Sequence, residues 1–312
     1  MLLTQLEYLV ALAREEHFGR AAAACFVSPS TLSEAIRKLE QELGVQLVRR
    51  GHSYAGLTAD GELALIWARR VVADQAALST ELSAARGQLR GLVRIGTIPS
   101  GVAAASHLAA ELSRAHPLLH CSIRTGLSSE QVVTRLRSFE LDAGIIHPSA
   151  ADGSELLTLP LAQSRNVVAA SPGVFDEALR AVTGAVLTSV PLGLLTPGMR
   201  ARQLADDAWR AAGLQVEPTI EADSIEALLA LLGSGMWAVV VPEFSVAARG
   251  NDSSIQVLRL TEPEISMPLA VVHLASEPTS ALLRAIDVAA ESVRTRMVAS
   301  QPDATISSEQ PN

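Results

Sequence analysis

Cysteine is nearly absent from this 312-residue chain, which holds only Cys25 and Cys121. Two thiols build no disulfide framework, and without a CxxC spacing they leave no cysteine zinc signature. Lysine is scarcer still, since Lys38 stands alone among 25 basic residues. Contacts with phosphate therefore fall mainly to arginine, whose planar fork bonds two oxygens at once. No run of about 18 uncharged apolar residues occurs, so no membrane-spanning helix is expected. Met1 to Tyr8 lacks a basic stretch ahead of an apolar run, so no secretory leader is expected and the protein reads as cytoplasmic.

Signatures of catalysis are missing too. There is no GxxxxGK[ST] or GxGxxG loop for nucleotides, no HExxH and no GxSxG. The histidines are scattered, and Pro117 splits the one pair four apart, His116 and His120. Neither an enzyme, a cofactor nor a metal centre is expected.

What is present is ordinary globular composition, 48% apolar and 19% charged, in a chain long enough for two or three domains. The net charge of −8 is unevenly spread. Residues 1–90 balance ten basic against ten acidic side chains, while residues 91–312 carry the whole acidic excess. A nucleic-acid module needs a local basic surface rather than a basic chain, so the overall sign excludes nothing.

Leu3, Leu6, Leu9, Val10 and Ala13 recur at helical spacing, predicting a first helix with Thr4 as its cap. Phe18 to Cys25 predicts a short second helix whose alanine run lets a neighbour approach closely. Ser28 then caps a third helix, with Pro29 where a missing N–H costs nothing and Gly44 as the stop. Leu32, Ile36 and Leu39 lie on its buried stripe. Residues 45–50 and 55–58 predict a two-stranded wing joined by a polar loop. From about Ala59 to Gln88 a single helix is expected, about 45 Å long at 1.5 Å per residue. Its seam of Ala64, Trp67, Val71, Leu78 and Leu82 cannot be buried by a lone projecting helix, which points to pairing with a second copy.

Beyond Gly91 short apolar strands alternate with helices. Strands at 92–97, 121–125 and 141–146 and helices at 101–115 and 128–138 form a βαβαβ unit, hence a mostly parallel sheet. A second set follows, with strands near 167–170, 192–195, 219–221 and 239–241 and helices near 200–212 and 224–232. Strands at 255–260 and 269–274 precede a last helix over about 279–298, and residues 300–312 read as a disordered tail. Two α/β subdomains with returning strands suggest a clamshell whose ligand cleft lies at the strand carboxyl ends.

Several segments resemble the LysR-type transcriptional regulators. They are Gln5–Leu9, His17–Ala22, the dense run Leu32–Leu47, and Leu57–Gly61 at the junction of wing and linker. Val93–Gly96, Leu141–Ile145 and Val240–Glu243 extend the likeness into the α/β region. Leu195–Arg200 and Glu221–Ile225 look most like the cyanate-operon and catabolic regulators. The resemblance implies an N-terminal winged helix-turn-helix, a long dimerising linker helix, and an α/β effector domain of periplasmic-binding-protein type with two subdomains. It also implies a homotetramer assembled from dimers. The peroxide-sensing branch carries a reactive cysteine pair in its second subdomain, which Cys25 and Cys121 do not match. Where the family commonly reads Ser-Gln-Pro-Ala-Leu-Ser, this chain has Ser28-Pro29-Ser30-Thr31-Leu32-Ser33, and its wing carries Val48 in place of phenylalanine.

The corresponding domains are residues 1–58 for DNA binding, 59–90 for the linker and 91–299 for the effector. Subdomain I would comprise 91–161 and 268–299, and subdomain II 162–267. Candidate DNA contacts are Ser28, Ser30, Thr31, Ser33, Arg37 and Lys38 on the third helix, with Arg49, Arg50 and His52 on the wing. Short hydroxyls suit phosphates and varied base edges, and a helix N-terminus favours phosphate. Glu40 and Glu42 are the carboxylates able to pair with these arginines. Candidate effector contacts are Thr97, Pro99 and Ser100, then Ser128, then Thr196 and Arg200, in three turns that leave strands and open helices. The expected partners are double-stranded DNA with a partly palindromic operator, a small and anionic effector, a second copy through the linker helix, and RNA polymerase as a further candidate.

Overall fold

The computed structural model describes residues 1–50, 54–149, 152–247 and 254–299. His52 and the tail 300–312 lie outside the described residues. The chain forms two compact units, one built on Met1–Gly91 and one on Leu92–Leu136 and Leu141–Thr279.

In the first unit, helix α1 (Leu3–Glu15) buries Leu6, Leu9 and Leu12. Its cap is not Thr4 but Leu2. Gln5 reaches back so that its Oε1 accepts the Leu2 N–H at 2.6 Å, which leaves Thr4 inside the first turn. Helix α2 (Phe18–Ala24) is capped by His17, whose Nδ1 accepts from the Gly19 and Arg20 N–H groups. Ala21 and Ala22 are fully buried, so the alanine run does admit a close neighbour. Helix α3 (Pro29–Leu43) runs from the Ser28 cap to Gly44 and buries Leu32, Ile36 and Leu39 completely.

The wing is the antiparallel pair β1 (Val48–Arg50) and β2 (Tyr54–Leu57), in register at Val48 and Leu57. Glu40, buried on α3, accepts the Leu47 and Val48 N–H groups at 3.0 and 3.2 Å and so ties the wing base to that helix. Helix α4 (Ala59–Ala84) starts at Thr58, whose hydroxyl accepts the Gly61 N–H. A side chain at Gly61 would meet the Leu47 carbonyl oxygen at 2.0 Å, so only glycine fits there. α4 ends four residues short of the predicted Gln88, whose N–H turns back to the Ser83 carbonyl.

The second unit contains β3 (Arg90–Thr97), α5 (Val102–Ala115), β4 (Leu118–Arg124), α6 (Ser129–Arg137) and β5 (Ala143–Ile146). There follow the long β6 (Leu156–Ala170), β7 (Ala181–Thr183), β8 (Leu192–Leu195), α7 (Arg200–Ala211), β9 (Ile220–Ala222), α8 (Ile225–Leu231) and β10 (Ala238–Pro242). Short α9 (Glu243–Ala247), β11 (Gln256–Thr261), β12 (Ser266–Leu274) and α10 (Ala281–Ala299) complete it. The strand order is β4-β3-β5-β12-β6-β10-β8-β9, with β11 against β6 and β7. Parallel pairs β3/β5 and β8/β10 sit on either side of the antiparallel β12/β6 centre.

The sequence predicts only the last four residues of β6, at 167–170. Its first half carries Pro160, which has no N–H to donate, and its pairing with β12 shifts register there. Those interruptions hide the alternation that marks a strand. Trp209 on α7 and Leu192 on β8 lie in one core cluster, and Leu228 on α8 with Val239 on β10 in another. Among the described residues no helix is long and apolar enough to cross a membrane.

Candidate functional site

Two places gather the candidate residues, one in each unit. At the start of α3, the Ser28 hydroxyl oxygen lies 2.8 Å from those of both Ser30 and Thr31 and accepts the Thr31 N–H at 3.1 Å. All three are exposed and Ser33 is half-buried. The first turn of α3 thus presents hydroxyls beside helix N–H groups with no carboxylate among Ser28 to Ser33, an arrangement suited to phosphate oxygens.

Arg37, one turn further on, is exposed and clamped by Glu34, with Nε to Oε2 at 3.0 Å and Nη2 to Oε1 at 2.9 Å. The two carboxylates expected to compete for it are engaged elsewhere. Glu40 holds the wing, and Glu42 meets the Met1 amino group, which keeps its carboxyl below the usual carboxylate range. Lys38 is exposed on the same helix. Arg49 is exposed on β1, and Arg50 ends that strand.

In the second unit a small, partly open pocket with room for about one water lies where β3, β5 and β8 end. Pro99, Ser100, Ser128 and Arg200 line it, together with Ser129 from the same turn as Ser128, and with His147 and Met199, which the sequence did not single out as a site. Thr97 is fully buried, its hydroxyl donates to the Ile98 carbonyl at 3.0 Å, and it does not line the cavity. Thr196 also stays off the lining and forms the turn into α7, its carbonyl accepting the Met199 N–H.

The polar groups of this cavity differ in how far they are committed. The Ser128 hydroxyl accepts the Gln131 N–H at 3.2 Å, as a helix cap does. The Ser129 hydroxyl is buried and has no hydrogen-bond partner among the described residues. His147 is buried between the Pro268 carbonyl, 2.8 Å from Nδ1, and Ser100 Oγ, 2.9 Å from Nε2. Burial holds its pKa below the ordinary histidine value, so the ring is neutral at pH 7. A neutral ring that donates from Nδ1 to Pro268 must accept at Nε2, and the Ser100 hydroxyl is then its donor.

Arg200 is expected from the sequence as an anion anchor, yet it arrives already bonded. Its Nη1 donates to the His147 carbonyl and its fork meets Asp152 at 3.0 and 3.1 Å. Asp152 also accepts the Ser149 N–H at 2.7 Å. Neighbouring Arg202, more deeply buried, donates to the Leu195 carbonyl and to Glu221 and secures the end of β8. Charge inside the cavity wall is therefore balanced, and the buried side-chain group left without a partner in this lining, among the described residues, is the Ser129 hydroxyl.

Comparison with known proteins places both units. Residues 3–62 match the family described as bacterial regulatory helix-turn-helix protein, lysR family, and residues 86–293 match the LysR substrate binding domain. The DNA-binding transcriptional dual regulator OxyR of Escherichia coli K12 is 30% identical over 299 residues, covering 95% of this chain and 96% of that protein. A hydrogen peroxide-inducible genes activator of Haemophilus influenzae is 28% identical over 89% of this chain and 92% of its own length. Full-length OxyR from Pseudomonas aeruginosa, in a variant form, superposes with a TM-score of 0.73 at 31% identity, over 94% of this chain and 95% of that one. The fold of CbnR bound to its target DNA also matches, with a TM-score of 0.68 at 22% identity, over 94% of this chain and 100% of CbnR. The Haemophilus influenzae relative is thus named for hydrogen peroxide-inducible genes, whereas residues 195–200 and 221–225 resemble the cyanate-operon and catabolic regulators. With both family domains matched in order and a relative 30% identical along nearly the whole chain, this protein belongs to the LysR family of DNA-binding transcriptional regulators that carry an effector-binding domain.

Proposed function

We propose that the chain reads a partly palindromic operator with the N-terminal turn of α3 and answers to a small molecule held in the cavity between β3, β5 and β8. Ser28, Ser30, Thr31 and Ser33 would meet phosphates and base edges, Arg37 and Lys38 would follow along the groove, and Arg49, Arg50 and His52 would touch the flanking backbone. The seam on α4 supports a homodimer. Trp67, Leu78 and Leu82 are each more than half exposed in the single chain. Two such dimers would form the tetramer, acting in the cytoplasm without catalysis and with RNA polymerase as a further partner. The boundaries that suit this reading are 1–58, 59–90 and 91–299, with subdomains meeting near 161 and 267.

The observation that carries the effector reading is the buried, unpartnered Ser129 hydroxyl. A hydroxyl hidden from water without a partner is costly, and a ligand oxygen would satisfy it. A small carboxylate or inorganic anion would then be held by Ser129 and the N–H groups opening α6 and α7, while Arg200 stays with Asp152. The relatives' response to peroxide is not carried over through thiol chemistry. Burial pushes the Cys25 thiol up, away from the reactive thiolate, and Cys121 sits on β4 beside Ser113, outside the cavity.

Calorimetry of the full chain against small carboxylates and inorganic anions tests the site. Binding by at least one of them is expected, weakened at least tenfold in Ser129→Ala, the cost of one lost charge-assisted hydrogen bond. Silence across the panel, or an unchanged affinity in the variant, overturns the assignment of the cavity. Footprinting on the operator that the full chain selects from randomised DNA tests the other half, and protection of two half-sites is expected.

A further inference from the structure

Phe26 is the most exposed large apolar side chain described, at 96%, and it stands in the turn between α2 and α3. Its backbone is left-handed, with φ at 58°. That conformation closes α2: the Phe26 N–H donates to the Ala23 carbonyl at 3.1 Å and the Val27 N–H to the Ala22 carbonyl at 3.0 Å. The position is one that glycine ordinarily fills, because a Cβ there crowds the backbone, and a bulky aromatic is disfavoured. Phenylalanine at this position therefore strains the turn and recovers nothing by burial. An observed outlier of this kind is a pointer to function rather than to folding.

What lies beside it says what covers it. Phe26 precedes the Ser28 cap by two residues, and Ser28, Pro29, Ser30 and Thr31 are all exposed next to it. The ring is thus continuous with the face that the family relationship assigns to DNA. It lies outside α3 itself, where contacts position the protein on the duplex rather than read bases. We propose that Phe26 packs against the apolar face of a deoxyribose in the DNA strand flanking the start of α3, as a sequence-independent anchor. The inference rests on the reading that the α3 N-terminus faces DNA.

A sugar contact has a signature that a phosphate contact lacks. It displaces no counterions, so its loss lowers affinity without altering the salt dependence. It also weakens specific and unrelated duplexes alike. Fluorescence anisotropy of the full chain, on its selected operator and on a scrambled duplex across a salt series, reads both. Phe26→Gly is expected to raise the melting temperature by relieving the turn while weakening both duplexes roughly tenfold, the loss of much of one aromatic contact. Phe26→Asn tolerates the same backbone and is expected to weaken binding equally, whereas Phe26→Leu recovers part of it. Circular dichroism confirms that each variant is folded.

Unchanged affinity in the glycine and asparagine variants overturns the proposal. A shallower salt slope, or loss confined to the selected operator, overturns it as well, since those mark a phosphate or a base contact. Lower transcription with unchanged DNA affinity would give the ring to a protein partner instead. Arg37→Ala, run alongside, separates the two levels: if it weakens binding and the Phe26 variants do not, only the anchor fails. If none of them weakens binding, the whole face is misassigned.

Discussion

Arg37 and Arg200 both stand out in the sequence as guanidiniums that could meet an anion, Arg37 midway along α3 and Arg200 at the start of α7. Both turn out to hold a carboxylate of their own chain. The difference lies in the water around them. The Arg37 side chain is 52% exposed and its Glu34 partner 44%, whereas Arg200 and Asp152 are 17% and 10% exposed. A surface pair of the first kind is worth about 0–1 kcal/mol and opens readily when phosphates arrive. A pair of the second kind cannot lose one partner without stranding a charge in a poorly hydrated wall. The exposed pair is free to exchange its carboxylate for another anion, and the enclosed pair is part of the frame.

The strongest way to break that contrast is Asp152→Asn. Leaving Arg200 without its counter-charge should destabilise the second unit by about 3 kcal/mol, seen as a lower denaturant midpoint. A loss below about 1 kcal/mol would make the pair no different from the surface one. Next, Arg37→Ala should leave the denaturant midpoint nearly unchanged and cost about 1–3 kcal/mol in operator binding, with relaxed specificity if a base is read. Equal affinity at every salt concentration would remove Arg37 from the interface. The smallest effect is a pH dependence. His147 has its pKa depressed on folding, so below the ordinary value of 6.5 the unfolded chain takes up a proton that the native site resists. Stability should therefore fall as pH drops below that value, and His147→Gln should flatten the fall. A titration of melting temperature with the same slope in both proteins would show that other groups set it.

Helix α3 was open to reading because every local signal agreed. Ser28 and Pro29 begin it, Gly44 ends it, and Leu32, Ile36 and Leu39 mark its inner side. The capping of α1 was less open, since Thr4 is the more usual cap and nothing in the residue order says that Gln5 folds back. The cavity was legible only in part. Ser100, Ser128 and Arg200 lie in turns that a strand–helix alternation exposes, while His147 follows a buried strand as one scattered histidine among others. Asp152 could not be matched with Arg200, because 48 residues separate them and only the folded sheet brings them together. The pairing is a property of topology, which periodicity does not encode.

The bond from buried Glu40 to the Leu47 and Val48 N–H groups has a mechanical consequence. It makes the hairpin and α3 a single lever rather than two independently swinging arms. Gly61 seats the first turn of α4 directly on the Leu47 carbonyl, at the root of that lever. Torque applied along α4 would thus be delivered to both parts in the same instant, rotating them in step and leaving the angle between them fixed.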